Sequence, residues 1–346
     1  MRRRDFLKSP SLGAFVAGSP VFGVLPGSLR GDGFESTAPE DQQNVQQRLH
    51  PDFLTYVPGI EYFYFGNGEI MGAVQHSPDD AQTSFLGFTM MNPSKFSRKW
   101  STYLYHPERG FSATKLGVLI DDPTALSDAK SGMFQGVKGY SVLPDNLKSV
   151  QWKYVDRVPV VSLVWNAGPC EIEEEFFSPS EGALIFRRVR LRNLTERIID
   201  VTLSLSLYAN FGIFDRIFTD EKEKTANALG IATMKLFALE KNSAVSGRYE
   251  VRIPVGKLQS RGQKSATYVY AIDGGENALK KKTFGQLWRQ TSQYWSDKIN
   301  FVSGNATVDD LMNVSKTGLR AVLAKDCRMD AGIWMYNMEL VIDHML

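Results

Sequence analysis

Residues 199–207 constrain the fold most. Val201, Leu203, Leu205 and Leu207 alternate with Thr202, Ser204 and Ser206, and only an extended strand puts every second side chain on one face. The stretch therefore requires a sheet with one buried and one polar face. Tyr249, Val251, Ile253 and Val255 repeat the pattern, and Ala266 to Ile272 supplies a further strand. Within 184–194, Val189 and Leu191 share one face while Arg188, Arg190 and Arg192 share the other. Arg157 to Trp165 and Cys170 to Phe177 read as a pair joined by the turn Asn166-Ala167-Gly168-Pro169. Glu61 to Phe65 and Ile70 to Gln75 form a hairpin across Gly66-Asn67-Gly68, with Asn-Gly turn chemistry. Short apolar runs separated by turns at this spacing predict a mainly β fold of long antiparallel sheets packed face to face. The region 211–246 is less regular, and Thr225 to Leu239 reads equally as helix or strand.

Near Gly274 the period changes. Leu279, Phe284, Leu287, Trp288, Thr291, Tyr294, Trp295 and Ile299 fall on one helical stripe, with Lys280, Lys281, Lys282, Arg289 and Gln290 facing away. A single linker helix over 274–306 is the expectation. After Gly304-Asn305-Ala306, Thr307 with Asp310 reads as a capping box opening a second helix that runs to about Lys325 on Leu311, Met312, Leu319, Val322 and Leu323. A third helix is expected to begin near Met338. Strands first and helices afterwards imply two domains.

Composition narrows the function. The chain has 346 residues, long enough to bury a large core. Its net charge of +2 gives no sign of a nucleic-acid groove or an anionic membrane as partner. Cys170 and Cys327 lie far apart with no CxxC, so neither a zinc site nor a disulfide framework is indicated. No P-loop, HExxH, GxSxG or Rossmann fingerprint occurs, and no cofactor or metal is expected. Arg3-Arg4-Asp5-Phe6-Leu7-Lys8 resembles the twin-arginine export motif and precedes a modestly apolar segment from Leu12 to Leu25. Residues 1–30 are thus expected to direct export to the periplasm or beyond, with no membrane association afterwards. Residues 31–50, rich in Gly, Ser, Asp and Gln, read as a disordered lead-in.

These features together resemble a known family. A sandwich opening on Gly66-Asn67-Gly68-Glu69-Ile70-Met71-Gly72, a connecting helix, and a helix leading to Tyr336-Asn337-Met338-Glu339-Leu340-Val341-Ile342-Asp343 resemble the bacterial glucoamylases and related six-hairpin glycosidases. In that family an antiparallel supersandwich precedes an (α/α)6 toroid. The resemblance implies a supersandwich domain over 51–273, the linker helix over 274–306 and the start of the toroid over 307–346. Its motif at the second toroid helix is an aromatic, a spacer and Trp-x-Arg-Asp, whose Arg and Asp bind sugar hydroxyls. Asp343 matches the Asp and Tyr336 the aromatic, while Leu340 stands at the Trp position and Ile342 at the Arg position. Losing the Arg removes a planar donor fork and its charge, which weakens that side of a sugar site. The family's inverting hydrolysis of α-glucosidic bonds needs two carboxyl groups across the scissile bond, and the resemblance places both on later toroid helices. Residues 307–346 are too few for twelve helices of about 12 residues each. The expectation is an incomplete toroid, no catalytic residue in this chain, and carbohydrate (an α-glucan or oligosaccharide) as the ligand. A complementing toroid domain or self-association would then cover the apolar faces of Phe284, Leu287, Trp288, Trp295, Leu319 and Val322. A non-catalytic carbohydrate-binding or docking module is the alternative.

Three other clusters invite chemistry. Glu171, Glu173, Glu174 and Glu175 are the densest acidic run. In a strand, Glu171, Glu173 and Glu175 share a side, read as a solvated face opposite Ile172 and Phe176 and paired with Arg188, Arg190 and Arg192. His76 and His106 raise a mutarotase-like epimerase, which pairs a histidine acid with a glutamate base; turn residues are the plainer reading of both. Trp100, Tyr105 and His106 lie in the richest mixture of aromatics and donors, suited equally to a sugar or interdomain contact and to sandwich packing.

Overall fold

The structure is a computed structural model describing residues 61–76, 86–91, 116–121, 132–134, 137–142, 145–207, 214–230, 232–246, 249–298, 300–323, 325, 328–330 and 339–341. All of them belong to one compact unit, Asp41–Leu346; the other, Met1–Glu40, lies outside the described residues.

Two antiparallel sheets form the body. The larger has eight strands in the order β12 (Phe214–Asp220), β13 (Thr225–Gly230), β14 (Thr233–Ala238), β17 (Gln263–Ile272), β10 (Leu184–Asn193), β9 (Cys170–Phe177), β8 (Val158–Ala167) and β7 (Leu147–Val155). The smaller has six: β15 (Ala244–Ser246), β16 (Glu250–Leu258), β11 (Ile199–Ser206), β4 (Leu116–Asp121), β6 (Val137–Tyr140) and β5 (Gly132–Phe134). A three-stranded sheet of β1 (Glu61–Gly66), β2 (Met71–His76) and β3 (Leu86–Met91) lies N-terminal to both in sequence.

The alternation expected of the strands fills one core. Val201, Leu203 and Leu205 of β11 and Val118 of β4 join Leu163, Ile172, Val189 and Tyr270 of the large sheet, with Phe63, Phe65 and Val74 of the first hairpin. Burying apolar surface on both inner faces holds the sheets together. The β-supersandwich expected of the sequence is therefore the fold. Within residues 225–239, Thr225–Gly230 and Thr233–Ala238 are strands, and Ala226, Ala228, Met234 and Leu236 all face the core. Tyr249 falls outside β16, at φ 59°, and is 39% exposed.

The outer face of the large sheet is divided. Near one end Val158, Val160, Phe177, Leu184, Phe186 and Val269 form a second apolar cluster. Helices α1 (Asn277–Lys281) and α2 (Phe284–Ser296) cover it. The single linker helix is thus two, because Thr283 starts α2 afresh: its side chain accepts from the Gln286 amide while the Gln286 side chain accepts from the Thr283 amide. Leu287 is 1% and Trp295 4% exposed, and Trp288 meets Phe177 edge-on at 4.9 Å. Phe284, Leu287 and Trp288 are consequently committed to the sandwich and are not left over for another domain, and Trp295 is buried as well. Lys282 and Gln290 turn back to Glu181 at 2.7 and 2.9 Å instead of facing solvent.

Helix α3 (Ala306–Val322) is capped by Asn305, whose Oδ1 accepts from the amides of Thr307 and Val308 at 3.0 and 3.3 Å. Thr307 and Asp310 are therefore not the capping pair; Asp309 instead binds Ser303 Oγ at 2.7 Å. Past α3, β18 (Arg328–Asp330) pairs with β19 (Glu339–Val341), so an extended segment stands where a helix near Met338 was expected. Among the described residues no helix is long and apolar enough to cross a membrane.

Candidate functional site

The turn joining β1 to β2 is where the sandwich meets the end of α3. Asn67 is 4% exposed and its side chain is fully used. Nδ2 donates to the carbonyls of Pro179 and Gly182 at 2.7 and 2.8 Å, and Oδ1 accepts from the amides of Glu69 and Ile70 at 2.9 and 3.0 Å. Gly68 follows at φ 86°, a left-handed conformation that glycine adopts without strain. Gly66 sits so close to α3 that a Cβ there would lie 2.6 Å from the Ala321 carbonyl oxygen.

The same turn receives the end of α3. Arg320 donates to the carbonyls of Leu323 and Asn67 at 3.0 and 3.3 Å and to the Tyr294 hydroxyl of α2 at 2.5 Å. The Lys325 amide donates to the Gly68 carbonyl at 3.0 Å, and its ammonium pairs with Glu69. Beside this junction opens a cleft of about 320 Å³, lined by Glu69, Glu181, Gly182, Asp273, Asn277 and Lys281 among others. Asp273 Oδ1 accepts from the Thr233 amide at 2.9 Å. Hydrogen bonds from Lys282 and Gln290 hold the Glu181 carboxyl below the usual carboxylate range. An ionised Glu181 accepts hydrogen bonds from hydroxyl groups but does not supply a proton to a leaving oxygen.

The acidic run of β9 divides between two environments. Glu171, Glu173 and Glu175 point outward as expected, and the arginine ladder answers them: Arg190 reaches Glu175 at 2.8 Å and Glu173 at 3.2 Å, Arg192 approaches Glu171 at 3.9 Å, and Arg188 binds Glu175. This face is less solvated than expected, since Glu175 is fully buried beneath Lys153, Arg188 and Arg190. Burial opposes the Glu173 charge, but Lys153, Ser162 and Arg190 overcome it and hold its carboxyl low. The Arg188 guanidinium stacks 4.7 Å over Trp288, where the apolar patch ends and the charged ladder begins.

Glu174 faces the other way, into the core. Its Oε1 accepts from Trp165 Nε1 at 2.7 Å and its Oε2 from Arg187 Nε at 2.6 Å, with both charged side chains at 0% exposure. Arg187 also donates to the Tyr270 hydroxyl at 3.2 Å and lies 5.0 Å over Phe176. Burial opposes the Arg187 charge, yet Glu174 and Tyr270 beside it raise its pKa. Burial likewise pushes up the Tyr268 and Tyr270 hydroxyls and the Glu240 carboxyl. Perturbed groups of this kind mark active sites when a cleft admits substrate; these lie between the sheets and serve the fold. The Cys170 thiol is free and buried, pushed up to about 12 by desolvation.

The residues singled out for sugar contact, Tyr336, Asp343, Trp100, Tyr105 and His106, all lie outside the described residues, as does Cys327. His76 is half-buried at the end of β2; the other candidate histidine, His106, lies outside the described residues. Sequence reasoning missed the cleft, although Glu69 was in the quoted turn motif and Asp273-Gly274-Gly275 marks a turn. It also missed the Glu174–Arg187 pair, whose signal is a charge in phase with Ile172 and Phe176 on one strand and with Ile185 and Val189 on the next.

No family model matches the sequence, and no curated protein matches it. Solved structures are similar at low identity. A bacterial glucoamylase complexed with acarbose superposes with a TM-score of 0.45 at 11% identity, over 77% of this chain and 42% of that one. A putative kojibiose phosphorylase from human microbiome gives 0.42 at 10% identity, over 75% and 38%. Heparan sulfate lyase HepC from Pedobacter heparinus gives 0.37 at 10% identity, over 63% and 36%. The chain thus spans about two fifths of the length of the first two. At such identities and scores they say nothing of this chain's chemistry.

Proposed function

We propose that the chain is the sandwich and connecting-helix portion of a glucoamylase-like glycosidase, which carries a helical domain and contacts an α-glucan or oligosaccharide without cleaving it. Inverting hydrolysis of α-glucosidic bonds is the reaction of the complete enzyme, and its two carboxyl groups belong to the helical domain. The observation that carries this reading is the junction: Gly66 to Gly72, where the sandwich of the family resemblance opens, is the segment that bonds α3 and the 179–182 loop at once. The low Glu181 carboxyl in the neighbouring cleft also suits hydroxyl binding more than acid catalysis. Purified chain incubated with maltooligosaccharides or an aryl α-glucoside should release product no faster than a heat-killed control. Cleavage well above that control overturns the proposal.

Export extends it. The Arg3-Arg4 pair is proposed to direct the folded chain through a twin-arginine route, since such signals depend on both arginines. Replacing them, Arg3→Lys with Arg4→Lys, should leave the chain in the cytoplasmic fraction of an exporting host. Unchanged export of that variant removes this part of the proposal.

A further inference from the structure

Helix α3 is apolar on two sides, and only one is used. Thr317 and Ala321 are 3% and 2% exposed against the sandwich, and Tyr154 of β7 meets Thr317 Oγ1 at 3.3 Å. On the opposite side Val308 is 39%, Met312 38% and Leu319 62% exposed. With Ser315, which is also exposed, these positions follow the 4-3-4 spacing of a helix–helix seam. The stripe is about 16 Å long at 1.5 Å per residue.

The seam's charges select its partner. Asp309 and Lys316 each follow a seam position, Val308 and Ser315, and so flank the same side of the stripe. Laid antiparallel against an identical helix, the layers become Val308 with Leu319 and Met312 with Ser315, each made twice. Asp309 of one copy and Lys316 of the other then fall between the same two layers, and the symmetry makes that pair twice as well. A parallel pairing sets Lys316 beside Leu311 and leaves both charges unmatched. Small residues allow close approach: Ser315 lies in the seam, and a Cβ added at Gly318 would meet nothing within 4 Å. Asp309 meets Ser303 through Oδ1, and Lys316 rests 5.7 Å from the Phe301 ring; both groups lie at the rim of the stripe.

We propose that α3 pairs antiparallel with α3 of a second copy of this chain, forming a two-fold symmetric dimer. This inference stands on the stripe itself and is independent of the glycosidase reading. An interface of one helix per subunit is at the small end for specific association, so the dimer is weak and concentration-dependent. Its exposed ion pairs fix orientation more than affinity.

Sedimentation velocity of the full chain across a concentration series tests this. The wild-type chain should shift from monomer to dimer as concentration rises. Leu319→Glu, a change on an exposed helical position, should keep it monomeric with unaltered circular dichroism. Lys316→Glu and Asp309→Lys should each weaken association about tenfold by opposing like charges. An equimolar mixture of those two variants should recover wild-type association, because each then presents the charges its partner lacks. A wild-type chain that stays monomeric to its solubility limit overturns the proposal. So does a dimer indifferent to Leu319→Glu, or a mixture no stronger than its components.

Discussion

Replacing Glu174 by leucine should cost the fold about 3–5 kcal/mol, a loss large enough to move the unfolding midpoint to much lower denaturant. The change leaves the Arg187 guanidinium, at 0% exposure, without its carboxylate, and an arginine cannot shed its proton to escape. It also strips Trp165 Nε1 of the acceptor it holds at 2.7 Å. The partner variant Arg187→Met should cost less, since it removes the guanidinium charge and leaves the Trp165–Glu174 hydrogen bond in place. The double variant Glu174→Leu with Arg187→Met should recover a large part of the Glu174→Leu loss, because two apolar chains of similar volume remove the stranded charge. Recovery stays partial because Trp165 Nε1 still lacks the acceptor that Glu174 supplied. Chemical denaturation with matched m-values reads all four chains. If Glu174→Leu costs under about 1 kcal/mol, or if the double variant is no better than the single, the pair does not carry the core as described.

Much of this fold was legible because strands write their burial in a period of two. Val201 to Leu207 and Val189 with Leu191 gave their faces directly, and the Asn-Gly turn gave the first hairpin. What the period cannot show is which faces meet. The stripe of Leu287 and Trp295 was read as reserved for another domain, but the outer face of β8, β9 and β10 carries Val160, Phe177 and Phe186 in phase with its arginines and glutamates. Half of that face is apolar, and the nearest helix covers it. Glu174 was hidden for the converse reason: only Glu171, Glu173 and Glu175 of the four acids were assigned a face, although the position of Glu174 between Ile172 and Phe176 places it inward. The cleft was illegible because its lining comes from segments 112 and 92 residues apart in sequence, around Glu69, Glu181 and Asp273, which only the closed sandwich brings together.

Replacing Asn67 by alanine should release α3 from the sandwich and cost about 3–5 kcal/mol overall. Its amide serves four backbone groups, two carbonyls from the 179–182 loop and two amides of its own turn, and each buried group left unpaired costs roughly 1–3 kcal/mol before water relieves the outermost. Asn67→Asp should be no gentler, since it keeps the acceptor but turns an anion toward the carbonyls of Pro179 and Gly182. The loss should also be uneven. The carbonyls of Asn67 and Gly68 hold Arg320 and Lys325, so a turn that loses its shape lets go of the end of α3, while β8, β9 and β10 keep their ladders and their core. Amide hydrogen exchange should therefore quicken in α3 and at the Tyr294 end of α2 well before it does in those strands. A uniform rise in exchange across α3 and the central strands would show that the turn supports the whole sandwich and does not specifically join it to the helices. Rates in α3 equal to the wild type would show that the helix is held by its Thr317 and Ala321 face alone.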